Sequence, residues 1–189
     1  MVREDMPVGV LALQGCIQPH LDLFQKLGVK ARPIRFAEQL EQIERLIIPG
    51  GESTTMLRLL ERRGFLDHIR EFGKCRAVWG ICAGAILLAK KVLNPESLAL
   101  GLMGIQATRN YYGCQLNSFK AEVALSFLNV TAEVDFIRAP LLEPLRPEVR
   151  ILANYNSQAV LLQERKLLAS SFHIELGGRT ELHEYFLEL

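Results

Sequence analysis

Ala77-Val78-Trp79-Gly80-Ile81-Cys82-Ala83-Gly84-Ala85-Ile86-Leu87-Leu88-Ala89 is the stretch on which the chain turns. It reads as a short apolar strand, a turn with glycine on both sides of a cysteine, and a helix opening Ala83-Gly84-Ala85. That layout resembles a nucleophile elbow, in which a tight strand-to-helix turn exposes a reactive side chain at the carboxyl end of a sheet. Gly80 and Gly84 remove β-carbons where the backbone bends sharply and packs closely. At a helix start, free N–H groups and the positive dipole end favour thiolate over thiol at Cys82. Taken alone, the same residues also fit an ordinary buried cysteine in a βα unit.

Working outward, the apolar run continues into a pattern of strands and helices. Val8 to Leu13 is continuously apolar, as a strand buried on both faces must be. Ile17, Leu21, Phe24 and Leu27 then recur at helical spacing before Gly28, a C-cap. Residues 29–34 read as a second strand, with Pro33 marking it as an edge. Residues 36–43 read as a short amphipathic helix, and residues 46–48 as a third strand ending at Pro49-Gly50-Gly51-Glu52-Ser53. Helices over residues 54–62 and 66–72 follow, then the elbow with its helix over residues 83–91. Strands alternating with helices at this spacing predict an α/β domain with a mostly parallel central sheet.

From about Gly101 the texture changes. Residues 104–109, 118–125, 134–139, 149–155, 159–162 and 167–171 read as short strands in succession, predicted to add antiparallel strands to the same sheet. A last helix over residues 180–187 has Thr180 as N-cap and Leu182, Tyr185 and Phe186 as its packing face. No repeat or linker interrupts the 189 residues, so a single domain over 1–189 is expected.

Composition narrows the function. A net charge of +1 provides no field toward nucleic acid or an acidic membrane surface. The longest charge-free apolar run is the opening stretch, short of the roughly 20 residues that span a bilayer. No secretory signal is legible, and a cytoplasmic location is expected. The cysteines, Cys16, Cys75, Cys82 and Cys114, form no CxxC pair and no zinc spacing, so free thiols and no metal are expected.

A cysteine nucleophile needs a base and an orienting carboxylate. The chain has four histidines. His20 and His68 fall on helix patterns and are expected at the surface or half-buried; His183, on the last helix, is expected to be solvated. His173 instead follows an apolar strand, at the strand end where α/β sheets carry their sites. Glu175 stands two residues on, and in extended chain such residues share a face. Taken alone, a strand-end histidine with a glutamate nearby is more often structural. Acyl transfer also needs donors aimed at a developing oxyanion. The N–H of Ala83 follows the nucleophile directly, and Gly50 and Gly51 offer free N–H groups at the third strand's end. A Gly-Gly turn followed by a Ser53 N-cap accounts for the latter equally well. A phosphate cradle ranks last, because no lysine follows as in a P-loop.

Six segments then occur in order: Val8-Gly9-Val10-Leu11-Ala12-Leu13-Gln14-Gly15, Pro49-Gly50-Gly51-Glu52-Ser53-Thr54-Thr55, Gly80-Ile81-Cys82-Ala83-Gly84, Arg109-Asn110, Phe136-Ile137-Arg138-Ala139-Pro140 and Ser171-Phe172-His173-Ile174-Glu175. Together they resemble the SNO-type class I glutamine amidotransferases, the glutaminase subunits of pyridoxal 5′-phosphate synthase. The resemblance covers nearly the whole chain, and the Gly50–Thr55 and Phe136–Pro140 segments narrow it to this branch.

The resemblance implies a three-layer, flavodoxin-like α/β fold and a Cys82–His173–Glu175 triad. Cys82 would attack the glutamine side-chain amide to form a γ-glutamyl thioester, His173 would act as base and acid, and Glu175 would orient it. It implies Gly51 and Ala83 as the oxyanion hole. Gly50, Gly51, Glu52, Arg109, Ile137 and Arg138 would bind L-glutamine, and Gln14 would lie beside the oxyanion loop and the synthase partner. That partner would be a (β/α)8-barrel synthase in a large hetero-oligomer, receiving ammonia and activating the glutaminase on docking. No cofactor is implied. The chain departs from the family pattern at Ile81, usually threonine, and at Ile174, usually proline. It departs again over Tyr111-Tyr112-Gly113-Cys114-Gln115, which loses a basic residue at Cys114. The segment between Ala124 and Val134 is also short for the family.

Overall fold

Unbroken apolar runs become central strands because only a sheet covered on both faces hides every side chain. In chain order, β1 (Val8–Leu11) leads through α1 (Gln18–Lys26) to β2 (Ala31–Ile34). A 3-10 turn over Ala37–Gln42 precedes β3 (Arg45–Ile48), and α2 (Ser53–Arg62) and α3 (Phe65–Cys75) precede β4 (Ala77–Ile81) and α4 (Ala83–Leu88). Then come β5 (Ala89–Leu93), β6 (Met103–Thr108), β7 (Phe119–Leu125), β8 (Val130–Phe136) and β9 (Leu141–Pro144). The chain ends with β10 (Arg150–Tyr155), β11 (Gln158–Glu164), β12 (Leu167–Ser170) and α5 (Glu181–Glu188). The structure, a computed structural model, describes residues 7–112 and 118–189. The anticipated turn at Gly113, Cys114 and Gln115 lies outside the described residues.

Seven strands form the central sheet in the order β10-β11-β12-β4-β3-β1-β2. Its β12-β4-β3-β1-β2 portion is parallel throughout, and β11 pairs antiparallel with both β12 and β10. Alternate residues feed opposite cores, as period-2 side-chain direction requires. Leu46, Ile48 and Val78 join the core covered by Met56 and Leu60 of α2 and by Phe65, Ile69 and Phe72 of α3. Ile47, Trp79 and Ile81 join the other, covered by Phe24 of α1 and by Leu182 and Phe186 of α5. The result is the expected three-layer α/β fold with a mostly parallel sheet. Among the described residues, no helix is long and apolar enough to cross a membrane.

Several expectations need correcting. The strands of the second half do not all join the central sheet: β5-β6-β9 and β7-β8 form separate sheets. Each small sheet turns an apolar face to a different core, with Val92, Met103 and Ile105 on one side and Val123, Val134 and Phe136 on the other. The helix after the elbow stops at Leu88, not Lys91. All six of its residues are buried, so a longer helix would bury Lys90 and Lys91, which β5 instead leaves exposed. Residues 36–43 hold a 3-10 turn, where the Gln39 side chain accepts from the Arg35 and Phe36 N–H groups. The strand expected over 134–139 starts earlier and ends at Phe136, because the backbone turns at Arg138 with φ 49°. Thr180 precedes α5 without a side-chain capping bond; its hydroxyl instead donates to Glu184.

Candidate active site

The register of the sheet brings three strand ends together. Ile48 of β3 pairs with Gly80 of β4, and Ile81 with Ser170 of β12. Loops leaving these ends therefore converge, at the carboxyl edge where open α/β sheets hold ligands. Cys82 occupies the turn after β4 with φ 48° and ψ −100°, a conformation that a non-glycine residue adopts only when its surroundings impose it. Two contacts impose it here. The Cys82 N–H donates to the Ser170 carbonyl at 2.8 Å, and the Ile86 N–H to the Cys82 carbonyl at 3.1 Å. Gly84 permits the close approach: a β-carbon there would lie 2.0 Å from the Ile48 carbonyl oxygen. Ala83 is the first residue of α4, so its N–H has no acceptor within the helix.

His173 lies just beyond β12 and is fixed by two backbone bonds to Asp135 of β8, 2.8 Å and 3.1 Å long. This bridge restrains the backbone just before Ile174, which is itself fully buried. Glu175 opens a 3-10 turn, and its carboxylate meets His173 Nδ1 at 2.7 Å. Gly50 passes so close to the ring that a β-carbon would fall 2.1 Å from His173 Cε1. The Cys82 thiol, 6% exposed, directs its Sγ to the Ile137 carbonyl at 3.6 Å.

Electrostatics follow from this geometry. Burial pushes the His173 imidazole down, but hydrogen bonds to Cys82 and Glu175 and the negative charge of both override it and raise it above its usual value. Burial pushes the Glu175 carboxyl up; the His173 hydrogen bond and charge, with His20 adding, hold it below the carboxylate range. The two partners thus stabilise the imidazolium that forms once His173 takes up a proton.

A cavity of about 280 Å³ opens over these residues. Cys82, Ala83, His173, Gly50, Gly51, Glu52, Arg109, Ile137 and Arg138 all line it, so residues drawn from five separate segments meet. Glu175 stands behind His173, away from the cavity. Gln14 lies behind the loop: its Oε1 accepts from the Glu52 N–H at 2.9 Å and occupies the space a Gly51 side chain would need. The capping residue of α2 is Glu52, not Ser53, since its carboxylate accepts from the Thr54 and Thr55 N–H groups. Burial opposes its ionisation, but these bonds win and bring its pKa down to about 2. Arg109 donates to Glu52 at 3.2 Å, placing a cation and an anion side by side on the cavity wall.

Sequence reasoning missed Cys16, Asn110 and Leu176, which also line the cavity. It also misplaced two histidines. His20 and His183 are both fully buried, not superficial or solvated; His68 is exposed as expected. The missed signal was positional, for His20 sits three residues after Ile17 and four before Phe24, on the apolar stripe of α1.

Comparison with known proteins bears on what this arrangement is. The chain is 40% identical over 182 residues to the Pyridoxal 5′-phosphate synthase subunit PdxT of Oenococcus oeni, covering 96% of this chain and 95% of that protein. It is 42% identical over 185 residues to the subunit of the same name from Niallia circulans, with 97% of each covered. A crystal structure of a glutamine amidotransferase superposes with a TM-score of 0.90 at 41% identity, over 96% of this chain and 97% of that one. Residues 10–189 match the profile of one family, a span that holds the whole cavity and all of the central sheet except the first two residues of β1. The chain therefore belongs to the SNO glutamine amidotransferase family.

Proposed function

We propose that this glutamine amidotransferase is the glutaminase subunit of a pyridoxal 5′-phosphate synthase, hydrolysing L-glutamine through a Cys82–His173–Glu175 triad. One observation carries the mechanism: a strained cysteine at a strand–helix turn shares a cavity with an imidazole held 2.7 Å from a buried carboxylate.

Glutamine enters with its α-carboxylate toward Arg109 or Arg138 and its α-ammonium toward Glu52, pairs that suit guanidinium and carboxylate geometry. The Ile137 segment closes the cavity beside the thiol. His173 takes the Cys82 proton, and Sγ attacks the side-chain amide carbon. The oxygen gains charge and is received by the N–H groups of Gly51 and Ala83, a hole that docking of the synthase completes. His173 then gives its proton to the amide nitrogen, the C–N bond breaks, and ammonia leaves a γ-glutamyl thioester on Cys82. Water attacks that thioester with His173 as base, releasing glutamate and restoring the thiol. Glu175 keeps Nδ1 protonated throughout and stabilises the imidazolium. Every step uses side chains and backbone of this chain, so no cofactor enters.

Ammonia passes to a (β/α)8-barrel synthase subunit in a hetero-oligomer, in the cytoplasm. Support comes from relatives named as subunits of a pyridoxal 5′-phosphate synthase, which match 96% and 97% of this chain. Gln14, beside the oxyanion loop, is a candidate contact for that partner. The test is glutamate release from glutamine, with and without a barrel synthase. We expect a strong rise on adding the synthase; a fast isolated chain that ignores the synthase would instead mark a stand-alone hydrolase.

A further inference from the structure

Behind Glu175 lies a buried polar file that the proposed chemistry does not use. His20 of α1 and His183 of α5 place His20 Nδ1 and His183 Nε2 2.9 Å apart, with both side chains fully buried. The other nitrogen of His20, Nε2, is 3.7 Å from Glu175 Oε1. Aromatic rings wall off the pair. Trp79 stands edge-on to both, 6.0 Å from His20 and 4.9 Å from His183, and Phe24 is 5.2 Å from His183. Three atoms along the file have no hydrogen-bond partner: His20 Nε2, Glu175 Oε2 and His183 Nδ1. Polar atoms left in such surroundings are costly unless they face one another usefully.

The shared proton between the rings admits two arrangements. If His20 Nδ1–H donates to His183, the lone pair of His20 Nε2 faces the Glu175 carboxylate, and the two repel. If His183 Nε2–H donates to His20, the proton of His20 sits on Nε2 and faces the carboxylate. The second arrangement is the attractive one, and it turns a second N–H toward Oε1, the same Glu175 oxygen that meets His173.

We propose that His20 and His183 form a neutral buried dyad that positions Glu175, with His183 Nε2–H donating to His20 Nδ1 and His20 Nε2–H directed at the Glu175 carboxylate. This rests on the triad reading above and extends it by two positioning residues that never touch substrate. Neutrality is part of the device. Burial, with His173 nearby, drives His20 down to about 4 against the pull of Glu175. Burial and His20 hold His183 well below its ordinary value. A neutral donor orients the carboxylate without competing, as a second cation would, with the His173 imidazolium for its charge. Outer partners of a reacting group act in this way in metal sites, fixing the tautomer and orientation of the groups they touch.

The test uses the full chain, assayed for glutamate release. His20→Leu removes the donor and should lower kcat by about 10- to 100-fold, the range seen for such outer partners, with KM little changed. His20→Gln keeps an N–H near the position of Nε2 and should restore most of the rate. Full activity in His20→Leu, or equal losses in both variants, overturns the dyad. Nitrogen-15 spectra of the unsubstituted protein provide a readout independent of folding defects: His20 should carry its proton on Nε2, and a proton on Nδ1 overturns the proposal. Cys82→Ala separates the two readings. If it still releases glutamate, the triad falls and the dyad with it; if it is inactive beside a fully active His20→Leu, the dyad alone falls.

Discussion

At the scale of single residues, the site depends on one cysteine in a backbone conformation that its neighbours enforce. Cys82 at φ 48° is held by the Ser170 carbonyl on one side and the first turn of α4 on the other. Because thiol and imidazole act as one unit, Cys82→Ala and His173→Ala should each lower the glutaminase rate by at least about 10³-fold, and the double variant should be no worse than either. Rate constants from the three proteins check this; additive losses would make His173 a structural residue. Local spacing offered Cys82, His173 and Glu175 only as possibilities, and the family resemblance selected them; Glu175 reaches His173 through a helical Ile174 (φ −85°, ψ −26°) and a 3-10 turn, not through extended chain. The burial of His20 and His183 was not read, because a histidine on a helix carries no mark of what packs on it. Only the stripe shared with Ile17, Leu21 and Phe24 hinted at it.

At the scale of elements, the strand–turn–helix unit leaves no space for side chains. A Gly84 β-carbon would meet the Ile48 carbonyl at 2.0 Å, and backbone, unlike a flexible side chain, cannot step aside. Gly84→Ala should therefore destabilise the protein by about 1–3 kcal/mol, the usual cost of overpacking, and displace Cys82 as α4 moves. The urea midpoint and the glutaminase rate, measured together, check both effects. The parallel strands β1, β3 and β4 were readable as apolar runs, and so was Pro33 on the edge strand β2. The small sheets were less so. Ala89–Leu93 follows α4 with no glycine or proline between them, and Lys90 and Lys91 suit the last turn of a helix, so periodicity alone did not show where helix gives way to strand. Leu141–Pro144 is four residues long and ends in proline, which argues against a strand unless tertiary pairing, here with β6, overrides it.

At the scale of the whole molecule, stability should narrow on both sides of neutrality. His20 and His183 are held neutral, with pKa values below those of the unfolded chain. As pH falls below about 6.5, the unfolded chain takes up protons that the folded chain refuses, and each costs about 1.4 kcal/mol per pH unit. For His20 the loss accumulates between 6.5 and about 4. Glu175 and Glu52, both lowered, contribute stability that is present above their unfolded values and lost as the solution becomes more acidic. His173 acts oppositely: its raised value stabilises the fold below pH about 6.5, and that contribution disappears as pH rises through the folded value. Urea unfolding from pH 7 to pH 4 should show a falling midpoint, and His20→Leu should flatten it; an unchanged slope in the variant would mean that His20 is already protonated when folded.

One property of the cavity has an evolutionary reading. Its inner end is made of backbone: Gly50 against the His173 ring, the Gly51 loop against Gln14, the Ala83 N–H at the start of α4, and the Ile137 carbonyl opposite the thiol. Mutation alters side chains, and the reacting ones at that end, Cys82 and His173, have no substitute that would keep their chemistry. The rim, where Glu52, Arg109 and Arg138 stand, is made of side chains. Heritable variation in this protein can therefore retune which molecule is held, while the machinery that cleaves the amide is sheltered from gradual change and can be lost only outright.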